Sequence, residues 1–218
     1  MSYTLPFEAK HLSKKIKHTD QVFLIGSCFT EHMTDYLNQA GFDTLSNPHG
    51  ILFNPLSVTK SINSYVNSLH KKEEDLFYLN ELWNSWDHHT RFSNIDKETA
   101  LTEMNASIDK AHTYLKQCDW LVITLGSSFQ YHLVESKYPV ANNHRAPGQW
   151  FEKELLSIIE IQQAADNGVY NKEYMEKAMA DSVVNNALEN EILEYYSSNI
   201  NIIESIELKT QIQIKLLK

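Results

Sequence analysis

The sequence predicts an α/β fold with a largely parallel sheet. Two short apolar runs, Gln21 to Ile25 and Trp120 to Leu125, each stop at a glycine, Gly26 or Gly126. Helical patterns lie between them, giving the order strand, helix, loop, helix, loop, helix, strand. Runs this short and this apolar read as strands buried in a parallel sheet. Loops leaving the carboxyl ends of such strands share one edge, which is where open α/β sheets bind ligands.

Each element has its own signal. After Gly26, residues Thr30 to Ala40 read as a helix, with Thr30 as its cap and Met33, Tyr36, Leu37 and Ala40 recurring at helical spacing. Gly41 suits the position that ends it. The stretch NPHGILFNP, residues 47–55, is a loop punctuated by Asn-Pro pairs. A helix is expected from about Leu56 to Leu69, then a charged connection over Lys71 to Asp75. Lys97 to Gln117 forms another helix, with Leu101, Met104, Ile108, Ala111 and Leu115 on one side. Further helix is expected from near Gln149, and the pattern stays helical and polar from Leu155 to Asn190. From Ile206 to Leu216 apolar and polar residues alternate with the period of a strand.

Composition excludes several functions. The chain has 218 residues, 42% of them hydrophobic, which suffices for a buried core. Its net charge of −9 and its two arginines, Arg91 and Arg145, make it a poor binder of nucleic-acid phosphates. No apolar run approaches the roughly 20 residues of a membrane helix. The first residues lack the apolar segment of a secretory signal. Two cysteines, Cys28 and Cys118, cannot build a disulfide framework. The expectation is a soluble, reduced, cytoplasmic protein.

Five segments carry residues suited to chemistry. In Gly26-Ser27-Cys28-Phe29, a serine at the strand-to-helix turn can present its hydroxyl at the sheet edge, beside helix N–H groups that stabilise an oxyanion. On residue type alone Ser27 reads more readily as a plain helix cap or turn residue, and Cys28 as a thiol pointing into the core. In the 47–55 loop, Gly50 permits close backbone approach, and its N–H is a candidate oxyanion donor. Residues 85–93, SWDHHTRFS, bring together Asp87, His88, His89 and Arg91. Adjacent histidines seldom point the same way, and no HExxH or CxxC partner exists, so a catalytic or substrate-binding histidine outweighs a metal reading. Gly126, with Ser127 and Ser128, ends the second strand and offers another donor. Asn142, His144 and Arg145 follow in VANNHRAP, where an asparagine amide can complete an oxyanion hole. Each segment also has an ordinary reading as a turn or surface loop. Neither a Walker lysine motif nor GxGxxG occurs, and no metal or organic cofactor is implied.

In this order, GSCF, NPHGILFNP, SWDHHTRFS, ITLGSSFQY and VANNHRAP resemble the GSCFA family, over residues 5–162. The family is mostly bacterial and is grouped with the SGNH/GDSL-like hydrolases. The resemblance implies a flavodoxin-like three-layer α/β/α fold with a largely parallel sheet. It implies ester hydrolysis or acyl transfer on a small-molecule or carbohydrate ester. Ser27 would be the nucleophile, with Gly50, Gly126 and Asn142 around the oxyanion and His89 or His144 at the site edge. Arg91 and Arg145 would bind substrate or pair with an acid. The chain departs from the family where Asn-Pro-Phe-Gly is usual and His49 stands third, and where Asn-Cys-His-Lys is usual and Asn142-Asn143-His144-Arg145 stands.

The family's closing Ser-Pro-Val-Arg-His and Asp-x-x-His-Pro are not found. The one Asp-x-x-His, Asp109 to His112, lies mid-helix and reads as coincidence. The expectation is therefore a family domain over 1–162, a divergent or truncated segment over 163–218, and an esterase impaired for want of its base. The alternative is a non-catalytic α/β domain that binds carbohydrate or protein.

Overall fold

The structure, a computed structural model, describes residues 15–168. The parallel strands β1 (Gln21–Gly26), β2 (Asp43–Ser46) and a later strand, β5 (Trp120–Thr124), make one sheet in the order β2-β1-β5. β1 is thus central, paired to a near neighbour on one side and a distant segment on the other. Its side chains alternate between two apolar clusters, as the pleat requires. Phe23 and Ile25, with Leu121 and Ile123, pack on Val58, Ile62 and Tyr65 of α2 (Pro55–Val66) and on Ala111 and Leu115 of α3 (Lys97–Leu115). Val22, Leu24 and Trp120 pack on Leu37 of α1 (Cys28–Gln39). Burial of each such side chain stabilises the fold by about 1.5–3 kcal/mol.

The helix starts follow local chemistry. Asn54 Oδ1 accepts the Ser57 N–H at 2.8 Å and Pro55 opens α2. Asp96 Oδ1 accepts the Thr99 N–H at 2.8 Å and opens α3. Ser27, not Thr30, is the residue before α1. Thr30 lies one turn inside, buried against the sheet with Thr34. The expected apolar face of α1 is largely outward, with Met33, Tyr36 and Ala40 exposed. The two threonines take the inner face because their hydroxyls find partners there. Thr34 Oγ1 donates to the Thr30 carbonyl at 2.8 Å, and Thr30 Oγ1 bonds Thr124 Oγ1 at 2.5 Å.

The sheet content is less parallel than the sequence suggests, and the fold is mixed α/β. β3 (Leu76–Leu79) and β4 (Leu82–Ser85) form an antiparallel hairpin. Its two turn residues, Asn80 and Glu81, have φ of 52° and 63°, the positive values a tight hairpin turn needs. β6 (Phe129–Leu133), β7 (Pro139–Val140) and β8 (Phe151–Leu155) form a second antiparallel sheet, ordered β7-β6-β8. The helix expected from Gln149 is instead one 3-10 turn, Gly148–Trp150, followed by β8. α4 (Ile158–Gly168) comes after and runs through the expected boundary at residue 162. The alternating segment 206–216 lies outside the described residues. No helix among the described residues is long and apolar enough to cross a membrane.

Candidate functional site

Gly26 ends β1 at φ 139°, and a Cβ there would lie 2.0 Å from the Thr124 carbonyl oxygen on β5. Only glycine fits this turn. It brings Ser27 to the carboxyl end of the central strand with almost no solvent exposure. Ser27 stands at the N-cap position of α1, yet its side chain caps nothing. Its carbonyl accepts the Thr30 N–H at 2.9 Å, so Ser27 is a cap in backbone position but not by its side chain. Its N–H donates to Thr124 Oγ1 at 3.0 Å, and its Oγ lies 3.2 Å from the same oxygen. The N–H groups of Cys28 and Phe29, which open α1, have no hydrogen-bond partner among the described residues. Cys28 is exposed rather than turned into the core.

Asn47 holds this turn from the neighbouring strand end. It is buried, with φ 43°, and its Oδ1 accepts the Gly26 N–H at 2.8 Å. Its Nδ2 lies 3.5 Å from Glu31 Oε1, an oxygen that also receives the Arg91 guanidinium. Asn47 thus ties together the residue before Ser27 and the helix turn after it. Sequence reading missed both Asn47 and Glu31. The only available signal was the position of Asn47 directly after a strand, where a short polar side chain tolerates positive φ.

Gly50 and Gly126 both line this edge, as expected, but their N–H groups are engaged. The Gly50 N–H donates to the Asn47 carbonyl at 2.7 Å. The Gly126 N–H donates to the Phe53 carbonyl at 2.8 Å. In this conformation neither serves as an oxyanion donor, because Gly50 closes a turn within the 47–55 loop and Gly126 ties the end of β5 to that loop. Their contribution is room. A Cβ on Gly126 would sit 3.2 Å from Ser27 Cβ, and one on Gly50 would sit 2.1 Å from His89 Cβ.

His89 packs on Gly50 at the half-exposed rim. The Arg91 N–H donates to His89 Nδ1 at 3.2 Å, so the neutral ring carries its proton on Nε2. Burial and the Arg91 charge hold its pKa below the ordinary histidine value, against a smaller opposing pull from Glu31. At neutral pH His89 is thus an uncharged ring that offers its N–H at Nε2 while its basic Nδ1 faces the Arg91 N–H. No imidazole among the described residues hydrogen-bonds Ser27.

His144 leaves the candidate set. It is buried, its Nε2 lies 2.7 Å from the Ser85 carbonyl, and Phe77 and Trp86 meet its ring edge-on. Burial keeps it neutral, with its pKa lowered. Asn142 spends its Oδ1 on the His144 N–H at 2.9 Å, an ordinary turn. Arg145 is exposed. Arg91 meets the expectation of an acidic partner, through Glu31.

Ser85, Asp87 and His88 of the 85–93 segment are interior. Asp87 is buried and takes both Lys60, at 2.8 Å, and Lys71. Tyr138 OH adds a bond to Asp87 Oδ2 at 2.8 Å. Burial pushes the Asp87 carboxyl up, but the two ammoniums outweigh it and its pKa is lowered. His88 lies stacked on His49, so it diverges from His89. Among the described residues no group of three or more His, Cys, Asp or Glu could hold a metal ion.

Comparison with known proteins agrees with the motif order. No curated protein and no solved structure matches the chain. The sequence model of the GSCFA family matches residues 21–185, starting and ending later than the 5–162 resemblance read from the motifs. That span covers most of the chain and the whole Ser27 edge, and the chain belongs to the GSCFA family.

Proposed function

We propose that the Ser27 edge is a serine acyl-transfer site of the SGNH hydrolase type, on a flavodoxin-like three-layer scaffold, acting on a small-molecule or carbohydrate ester. One observation carries the reading. Ser27 occupies a helix N-cap without capping by its side chain, its hydroxyl at the sheet edge beside the unpartnered Cys28 and Phe29 N–H groups. A hydroxyl in that position can attack an ester carbonyl while those two dipoles receive the developing oxyanion. The ester C–O bond then breaks, the alcohol leaves with the proton from Ser27, and water releases the acyl group.

The described residues supply nucleophile and donors but no base on Ser27. Loss of the base from a serine–histidine pair costs roughly 10⁶ in kcat. The expected activity of this chain is therefore weak. The free thiols of Cys28 and Cys118 support a reducing, cytoplasmic setting.

That no base meets Ser27 among the described residues also favours a second reading, a binding domain that keeps the scaffold without turnover. Hydrolysis of p-nitrophenyl acetate by the chain and by Ser27→Ala separates the two. Slow turnover that Ser27→Ala removes is the expected result. Equal rates in both proteins would discard the esterase reading in favour of binding.

A further inference from the structure

His49 and His88 are stacked inside the protein, ring centroids 3.9 Å apart and planes 14° from parallel. Both are essentially without solvent contact. His49 Nδ1 and His88 Nε2 have no hydrogen-bond partner. The remaining ring nitrogens have only long contacts, His49 Nε2 to Ser64 Oγ at 3.5 Å and His88 Nδ1 to Ser85 Oγ at 3.3 Å. This is a weakly satisfied pair of bases in a site that solvates a cation poorly.

The charged surroundings are mixed, and they do not offset the burial. From α2 come Lys60 and the edge of the Tyr65 ring, and from the turn after α2 comes Lys71. From the 85–93 segment come Asp87 and the edge of Phe92, and from the loop after β7 comes His144. Asp87 is the one anion of this set, and it already holds both lysines and Tyr138. An imidazolium here would face two ammoniums and an occupied carboxylate.

The pair joins two loops. His49 belongs to 47–55 and His88 to 85–93. The same seam includes the His89 N–H donating to the His49 carbonyl at 2.8 Å, and His89 packed on Gly50. By contrast, the cluster holding β1 to β5, which anchors the 47–55 loop through Leu52, is built of Phe, Ile, Leu, Val, Ala and Tyr side chains, none of which titrates between pH 4 and 7. We propose that the His49–His88 stack is an acid latch, in which protonation of either ring parts the 47–55 and 85–93 loops while the parallel sheet stays folded. The latch controls the edge that carries Asn47, Gly50, His89 and Arg91. It does not depend on the esterase reading.

The sign follows from linkage. Burial, against an opposing pull from Asp87 and with smaller contributions from Lys71 and Lys60, lowers the His49 pKa from 6.5 to about 3. Burial, then His49 and Lys71, holds His88 well below its ordinary value. The closed state is thus favoured above pH 6.5, and that advantage is lost as pH falls from 6.5 toward 3. At pH 5 His49 alone raises the open-to-closed ratio about 30-fold.

Hydrogen exchange of the full chain at pH 7.5 and pH 5, corrected for intrinsic rates, tests this. Peptides over 47–50 and 85–92 are expected to lose protection by at least about 30-fold at pH 5, with 22–25 and 120–124 unchanged. His49→Phe keeps an aromatic ring on the stack without a titrating group, and should shrink that loss by about the same factor. Should the melting curve at pH 7.5 show that His49→Phe does not fold, His88→Asn, which keeps a polar atom near Ser85, replaces it with the same expectation. Retained loop protection at pH 5 would overturn the proposal. So would simultaneous loss in all four segments, or an unaltered acid response in the folded variant.

Discussion

The core between sheet and helices and the His49–His88 stack between the 47–55 and 85–93 loops are equally buried, yet they are held by opposite means. Phe23 and His88 are both fully buried. Phe23 sits among alkyl and aromatic carbon, where burial itself is the favourable term. His88 sits beside His49 and a carboxylate carrying two lysines, where burial is costly and each group depends on its partners. The first tolerates changes of pH and salt. The second is conditional on charge state, and it is the one that borders the Ser27 edge.

Substitutions on the two sides should separate these means. Phe23→Ala is expected to have the largest effect, about 3–5 kcal/mol of unfolding free energy, from lost burial and the cavity left behind. Urea titration should give the same loss at pH 7.5 and pH 5.5, and a strongly pH-dependent loss would break the contrast. Asp87→Asn keeps shape but strands Lys71, and should cost about 3 kcal/mol at pH 7.5. Because the Asp87 pKa is lowered, its contribution is present above the ordinary carboxylate value and lost only as pH falls below it. A fall in wild-type stability between pH 6.5 and 5 therefore belongs to the imidazoles, not to Asp87. Arg91→Gln should have the smallest effect, about 0–1 kcal/mol, since the Arg91 side chain is 42% exposed where it meets Glu31. That difference should fade in high salt, and persistence there would show that the pair is more deeply coupled to the Asn47 turn than its exposure suggests.

The apolar core was legible in the sequence and the polar stack was not. QVFLI and WLVIT announce themselves as strands because both faces are apolar, and α3 shows its inner face at helical spacing. β2, with the sequence DTLS, does not, because it is short and only half-buried. The threonine face of α1 was missed because hydroxyls that satisfy one another can be buried like methyl groups. At the site, the edge position of Ser27, Gly50 and Gly126 followed from strand ends. What the Gly126 N–H does, which imidazole turns inward and who pairs with Arg91 depend on contacts between residues about 40 to 75 positions apart, on which local pattern is silent.

The order of strands in the parallel sheet also sets a timetable for synthesis. β1 pairs β2 almost at once, but its other partner, β5, begins at Trp120. About ninety residues separate the two, so at ordinary translation rates the ribosome needs roughly 5–20 s to deliver β5 after β1 emerges. Throughout that interval the apolar strand QVFLIG has one hydrogen-bonding edge unpaired and no α3 over its face. The nascent chain, more than the finished protein, is the form of this molecule that calls for chaperone protection.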